Sequence, residues 1–307
     1  MKRRRGTAIA GALLALLAIA GCGLGPGAGV GAVELTVTRD FGASSLLARQ
    51  VGDVKESDTV MRVLEANAEI ETRYGGGFVQ SIDGLEEAQR GGHPYDWFYF
   101  VDGIESPVGA ADLPLHGGER IWWDYRDWGA TIQVPAVVGS WPAPFTTGYE
   151  GKRPPVAVEC EGGGAACATA RAALEGAGVK LAAGVPSGAI RVLVGPWARL
   201  RSDPAAAQLE SGPAESGVYA ELEPDAGGYS LRGLDEGGAP ADDLGPGAGL
   251  VAATRRYEGA PVWLVTGGTG AAVRAAAGLL DRADLRDHYA VATEAGKETP
   301  LPLRGAR

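Results

Sequence analysis

The sequence predicts an α+β protein: a β-grasp-like N-terminal domain followed by a mixed α/β C-terminal domain. Three observations carry that reading. Alternation at Val33, Leu35 and Val37 is followed by one short amphipathic stretch and then by further strands, all within about 100 residues, which suits a single helix packed across a mixed sheet. A Pro-rich stretch at residues 131–155 then interrupts the pattern. Beyond it, short β-branched runs alternate with Ala-rich helical ones.

Taken in order, the chain begins with Lys2, Arg3, Arg4 and Arg5 and an apolar run from Ala8 to Ala20. That run is shorter than the roughly 20 residues a membrane-spanning helix needs and has the length of a signal-peptide core. Ile19, Ala20 and Gly21 lead directly into Cys22. Segments of these kinds in this order resemble a bacterial lipoprotein signal. The resemblance implies that residues 1–21 are removed, that Cys22 carries lipid, and that the protein is held at the cell membrane on its extracytoplasmic face. An ordinary secreted protein with a Cys at this place is the alternative. Gly-rich residues 22–31 then read as a flexible tether.

Without residues 1–21 the chain has 24 Lys and Arg against 38 Asp and Glu, a net charge near −14. Such an acidic body argues against nucleic acid as a partner and against a polybasic grip on anionic lipid. Membrane contact is expected through the lipid anchor alone.

The first domain is expected over residues 32–130. "AVELTVTRD" reads as a half-buried strand, with Glu34, Thr36 and Thr38 on the solvent side. "SDTVMRVLEANA" reads as a helix capped by Ser57 or Asp58, with Val60, Val63 and Leu64 as its buried stripe. "GFVQSIDGL" is a strand entering a turn. Two aromatic strands, "YDWFYFVDG" and "ERIWWDYRDW", follow.

Residues 131–155 form an extended connector lying on one or both domains. The second domain runs over residues 156–293, with residues 294–307 as a tail. "VAVEC", "IRVLVG" and "VWLVTG" are its strands, and "AACATARAALEGAG" and "GAAVRAAAGLLDRA" its helices; "GVYAELEP", "GYSLRGL" and "AGLVAATRRY" are expected to form an antiparallel meander. Cys160 and Cys167, with six residues between them, suit a local disulfide in an oxidising compartment better than a metal pair.

No catalytic signature stands out, so the expectation is a non-enzyme with neither cofactor nor metal. "LVTGGTG" sets a Gly-rich turn between strand and helix, but the third Gly of a dinucleotide fingerprint is missing and no Walker lysine follows. A tight turn accounts for it. His93, His116 and His288 match no metal or catalytic spacing and read as surface residues. "ADD" at residues 241–243 reads as a solvated loop.

Twelve of the 21 aromatic residues lie between Tyr95 and Tyr149. Alternate residues of a strand face opposite sides of a sheet. Ile121, Trp123 and Tyr125 therefore share one face and look like core. Trp122 shares the other with Asp124 and Arg126, whose charges suggest water, which makes Trp122 the ring expected to be most exposed. In the first strand both faces are apolar. One should pack under the helix, and the other should meet the connector, the second domain or a ligand.

"DWFYFVDGI" and "GERIWWDY", with "SDTVMRVLEA" and "GFVQSIDGL" upstream, resemble the transcobalamin-like C-terminal domain over residues 33–128, about a third of the chain. That family more often has Asn where Asp102 stands and Asp where Glu119 stands. The domain closes the cobalamin site in transcobalamin and intrinsic factor, and it occurs in bacterial secreted and lipid-anchored proteins. The resemblance implies a β-grasp-like fold that binds a ligand without turning it over. The helical barrel that completes the vitamin carriers' site has no counterpart here. The expected ligand is a corrinoid, another planar molecule or an envelope glycan, held by Trp97, Tyr99, Trp122, Tyr125 and Trp128, with a transporter as a further partner. The alternative is a structural or adhesive envelope lipoprotein whose aromatic strands serve domain packing.

Overall fold

A computed structural model describes residues 27–162 and 164–305; the expected signal peptide and the lipid-bearing Cys22 lie outside the described residues. Strands outweigh helices throughout, in two six-stranded sheets and two smaller three-stranded ones.

The first large sheet begins with β1 (Gly29–Arg39), which starts inside the expected tether, and β2 (Ser44–Lys55), its antiparallel neighbour. Helix α1 (Val60–Glu65) follows. Thr59 rather than Ser57 or Asp58 caps it, its hydroxyl accepting from the Arg62 N–H at 3.4 Å. Val60, Met61, Val63 and Leu64 are buried, the expected stripe with one addition. Next come β3 (Ile70–Arg73), the turn Tyr74–Gly76, β4 (Phe78–Ile82) and β5 (Leu85–Glu86), which form a small sheet of their own. β6 (Ala88–Arg90), β7 (His93–Val101), β8 (Ile104–Glu105) and β9 (Arg120–Asp127) return to the large sheet. Its order is β2-β1-β9-β7-β6, with β9 parallel to β1 and antiparallel to β7.

β1 departs from the expected half-buried pattern. Thr36 and Thr38 are as inaccessible as Val33, Leu35 and Val37. Both faces of the sheet are covered, one by α1 and the other by the connector and the second half of the chain.

The second large sheet has the order β10-β11-β16-β15-β17-β18. It contains β10 (Val156–Cys160), β11 (Ile190–Val194), β15 (Gly249–Thr254), β16 (Val262–Gly267), β17 (Ala290–Glu294) and β18 (Lys297–Leu301). β10, β11 and β16 are mutually parallel and the rest antiparallel. Helices α2 (Gly164–Gly176) and α5 (Gly270–Gly278) contribute Ala170, Leu174, Val273 and Ala276 to the core on one face. On the other face lie the short helices α3 (Trp197–Leu200) and α4 (Pro213–Ser216) and a meander of β12 (Ala220–Asp225), β13 (Gly228–Leu234) and β14 (Pro240–Gly245). The short helix α6 (Arg282–Leu285) precedes β17. Cys160 and Cys167 are disulfide-bonded, tying the end of β10 to α2.

Three expectations need correction. Residues 249–254 do not belong to the meander; all six are buried in the large sheet, as an element covered on both faces must be. Their place in the meander is taken by β14, so Ala241–Asp243 are exposed as expected but lie on a strand rather than in a loop. The expected tail carries β18, whose Leu301 is core. The Gly-rich turn after β16 is closed to a phosphate: a Cβ on Gly268 would lie 1.7 Å from the Tyr229 carbonyl oxygen of β13.

The connector is a packed layer between the halves. Trp141 and Phe145 pack at a tilt against Trp263 of β16, at centroid distances of 5.8 and 4.9 Å. Val134 and Val137 pack against the aromatic strands.

Candidate functional site

The pleat of β7 and β9 sorts the aromatic residues onto two faces that do different work. The face carrying Phe100, Trp122, Asp124 and Arg126 is fully inaccessible and packs against Phe41, Val134, Val137, Tyr219, Leu234 and Tyr289. Tyr289, from β17's approach, sits edge-on to Phe100 and Trp122 at 5.6 and 5.4 Å. Trp122 was expected to be exposed because it shares a face with two charges. Those groups are buried and hydrogen-bonded instead, with the Arg126 Nε alone of their polar atoms left without a partner among the described residues. Asp124 accepts from the Thr38 hydroxyl at 2.5 Å, the Gly42 N–H at 3.1 Å and the Tyr289 hydroxyl at 3.0 Å. Arg126 donates to the Thr131 and Ile132 carbonyls, both at 2.9 Å, and lies 3.8 Å from the Phe98 ring centre. The Trp122 indole N–H donates to Thr38 Oγ1 at 2.7 Å.

Ion pairs close the edge of this interface. Arg120 of β9 pairs with Asp287 and Glu34, and Arg286 pairs with Glu34 at 2.5 Å. Burial raises the Asp124 carboxyl to about 6, against the pull of its hydrogen bonds, and holds the Tyr289 hydroxyl well above its ordinary value.

The opposite face carries Tyr95, Trp97, Tyr99, Ile121, Trp123 and Tyr125 and packs under α1. Here the packing is incomplete. A cavity of about 270 Å³ opens between these strands, the start of β4 and the loop 105–110. Trp97, Tyr99 and Trp123 line it from the sheet, Met61 from α1, and Phe78 and Val108 from its mouth. Phe78 is 38% and Val108 42% exposed, and the neighbouring Tyr74, edge-on to Phe78 at 6.4 Å, is 87% exposed. Exposed rings grouped at the mouth of an apolar cavity are the kind of feature that marks a binding site. A second cavity of about 330 Å³ lies beyond Ser106–Val108, with His116, Glu119, Glu150 and Lys152 on its walls.

The loop between the cavities is held at three points. The Tyr99 hydroxyl donates to the Val108 carbonyl; Ser106 Oγ bonds both the N–H and the carbonyl of Val108 at 3.1 Å; and Glu105 accepts from the Val134 N–H at 2.6 Å. Burial pushes the Tyr99 hydroxyl up to about 12 and the Glu105 carboxyl up to about 7. The Trp97 indole donates to the Leu85 carbonyl at 2.8 Å, whereas the Trp123 indole N–H has no acceptor among the described residues.

Of the five rings expected to bind a ligand, Trp97 and Tyr99 line the groove. Tyr125 is core, between Tyr95 and Trp97; Trp122 is interface; and Trp128 is half-buried outside both cavities. Sequence reasoning passed over Phe78, Met61 and Glu105. The exposed pair in "RYGGGF", two rings flanking three glycines, was the readable signal. Two histidines are also less isolated than their sequence context suggests: His93 Nδ1 lies 2.8 Å from the buried Asp127, and His116 Nδ1 3.0 Å from Glu119. Among the described residues no group of three or more His, Cys, Asp or Glu is placed to hold a metal ion, and no helix is long and apolar enough to cross a membrane.

Residues 57–127, from α1 to the end of β9, match the family described as "Domain of unknown function (DUF4430)". Among solved structures the chain is similar to "a putative metal binding protein from Ruminococcus gnavus", at 15% identity and a TM-score of 0.25, over 32% of this chain and 97% of that one. No curated protein matches the chain.

Proposed function

We propose that this is a non-catalytic, extracytoplasmic binding protein, anchored by lipid on Cys22, whose small-molecule ligand enters the groove lined by Trp97 and Tyr99. The groove carries the proposal. Three buried or half-buried rings line a cavity whose mouth exposes Phe78 and Val108, with the exposed Tyr74 beside Phe78. Its volume of about 270 Å³ falls just below the roughly 300–1,000 Å³ range of small-molecule pockets. A ligand of a few heavy atoms, one sugar ring or the edge of a corrinoid suits it. A whole corrin plate would have to lie across the mouth on Tyr74 and Phe78. We read α1 over β1, β9 and β7 as a β-grasp arrangement, and the resemblance of residues 33–128 to the transcobalamin-like C-terminal domain supports binding over catalysis. A transporter that receives the ligand belongs to the same proposal.

The test is tryptophan fluorescence of the full-length chain in a neutral detergent, titrated with a corrinoid and a panel of envelope glycans and small amphiphiles. Saturable change that is lost in Phe78→Asp, with an unaltered unfolding midpoint, is the expected result. A ligand that binds equally well to Phe78→Asp would remove the groove from consideration.

The second reading, a structural role, is favoured for the other face. Trp122 buried against Tyr289 and Phe100 makes that half of the aromatic set an interface between the two sheets.

A further inference from the structure

Resting on the groove as the binding site, we infer that its ligand carries a quaternary ammonium group, such as the trimethylammonium head of choline or a betaine. The lining is aromatic and nearly uncharged: Phe78, Trp97, Tyr99 and Trp123 supply rings, Glu105 is the one ionisable carboxyl, and no Lys, Arg or His lines it. An anion placed there would lose its water without a cationic partner, a cost apolar walls do not repay. A primary ammonium brings three N–H donors, and the lining offers it few side-chain acceptors: the Tyr99 and Ser106 hydroxyl oxygens and the Glu105 oxygen that Val134 leaves open. A methylated ammonium has no N–H to satisfy. Its charge is drawn to the electron-rich faces of Trp and Tyr, and its methyl groups bury like any apolar surface.

Position and size agree. The cross-strand partners Tyr99 and Trp123 lie partly face to face, 4.9 Å between centroids and 30° between planes, and both line the cavity. Glu105 ends the short strand β8 at the edge of the same cavity, with one oxygen held by Val134 and the other uncommitted among the described residues. The guanidinium of Arg126 lies over Phe98 on the interface face, where backbone carbonyls hold it. A cavity of about 270 Å³ admits a trimethylammonium head and a short arm, and the arm leaves by the mouth past Phe78 and Val108.

The experiment compares choline and tetramethylammonium with the uncharged isostere of choline, 3,3-dimethylbutan-1-ol, by fluorescence titration of the full-length chain. At pH 8, above the raised Glu105 value of about 7, the cations should bind about tenfold or more tightly than the isostere, and Glu105→Gln should weaken the cations while leaving the isostere unchanged. Phe78→Ala, at the exposed mouth, should weaken both and serves if Glu105→Gln fails to fold. Equal affinity for cation and isostere overturns the ammonium inference and leaves the groove standing as a plain apolar site. No binding of any of the three overturns it as well, and the corrinoid and glycan panel then judges the groove separately. Vesicles of phosphatidylcholine against phosphatidylglycerol, offered to Cys22→Ser so that no lipid anchor holds the chain to either, separate the two sources of the cation: retention on the first alone assigns a lipid headgroup, and retention on neither, with choline still bound, assigns a free solute.

Discussion

Trp122 shows how far a single residue's sequence context can mislead. Its neighbours on the pleat, Asp124 and Arg126, implied water, yet all three are inaccessible. Charge implies solvent only when no internal partner exists, and Asp124 finds its partners 82 to 165 positions away, at Gly42, Thr38 and Tyr289. No local pattern announces such partners. The close approach of the second half does leave one trace, in glycine. A Cβ on Gly139 would lie 2.7 Å from the His288 nitrogen and 2.8 Å from the Trp122 ring, so Gly139→Ala must push the connector off that ring. Trp122→Ala should destabilise the protein by about 3–5 kcal/mol, the usual range for emptying so large a buried site, read as a shift of the urea midpoint. Affinity at the groove should be unchanged, because Trp122 points away from it. A variant that unfolds normally but loses ligand would reverse the assignment of faces.

At the scale of elements, β7 and β9 are one antiparallel pair serving two surfaces, and period-two alternation made that division readable in the sequence. α1 was legible through its apolar spacing, and β4 through the Asp83–Gly84 turn that ends it. β15 was not. "GLVAAT" between turns is compatible with a meander or a covered strand, and only its complete burial decides between them. The groove was half legible: the rings of β7 were visible, but the loop that roofs the cavity carries Ser106, Pro107 and Val108, which signal nothing locally. That loop hangs on the Tyr99 hydroxyl. Tyr99→Phe removes the bond while keeping the ring, and should cost about 1 kcal/mol. Amide hydrogen exchange should accelerate at Ser106, Val108 and Gly109 and stay unchanged at Trp123 in β9. Uniform acceleration through both would mean that the loop opens only with the whole sheet.

The whole molecule should respond to pH through the interface that joins its two sheets. Burial raises Asp102 and Glu105 to about 7 and Asp124 to about 6, from ordinary values near 4. Asp102 accepts from the Arg120 N–H at 2.8 Å, Glu105 from the connector's Val134, and Asp124 from Tyr289 across the interface. Arg126 favours the charged forms of Glu105 and Asp124 but does not outweigh the loss of water. The sign follows from where protons sit. Between about pH 4 and pH 7 the folded chain holds protons on these carboxyls that the unfolded chain has released, so stability falls as pH rises through that window. The stabilisation is complete below the unfolded values and lost once pH passes the folded ones. Tyr289, held well above 10, stays protonated throughout and keeps donating to Asp124. Thermal unfolding at constant ionic strength should therefore give its highest midpoint on the acid side of this window, declining towards pH 8. Asp124→Asn, which keeps an acceptor oxygen but cannot ionise, should flatten the decline between pH 5 and 7. A midpoint that instead rises steadily from pH 4 to pH 8 would mean that other groups dominate, and that the two sheets are not held by neutral carboxyls.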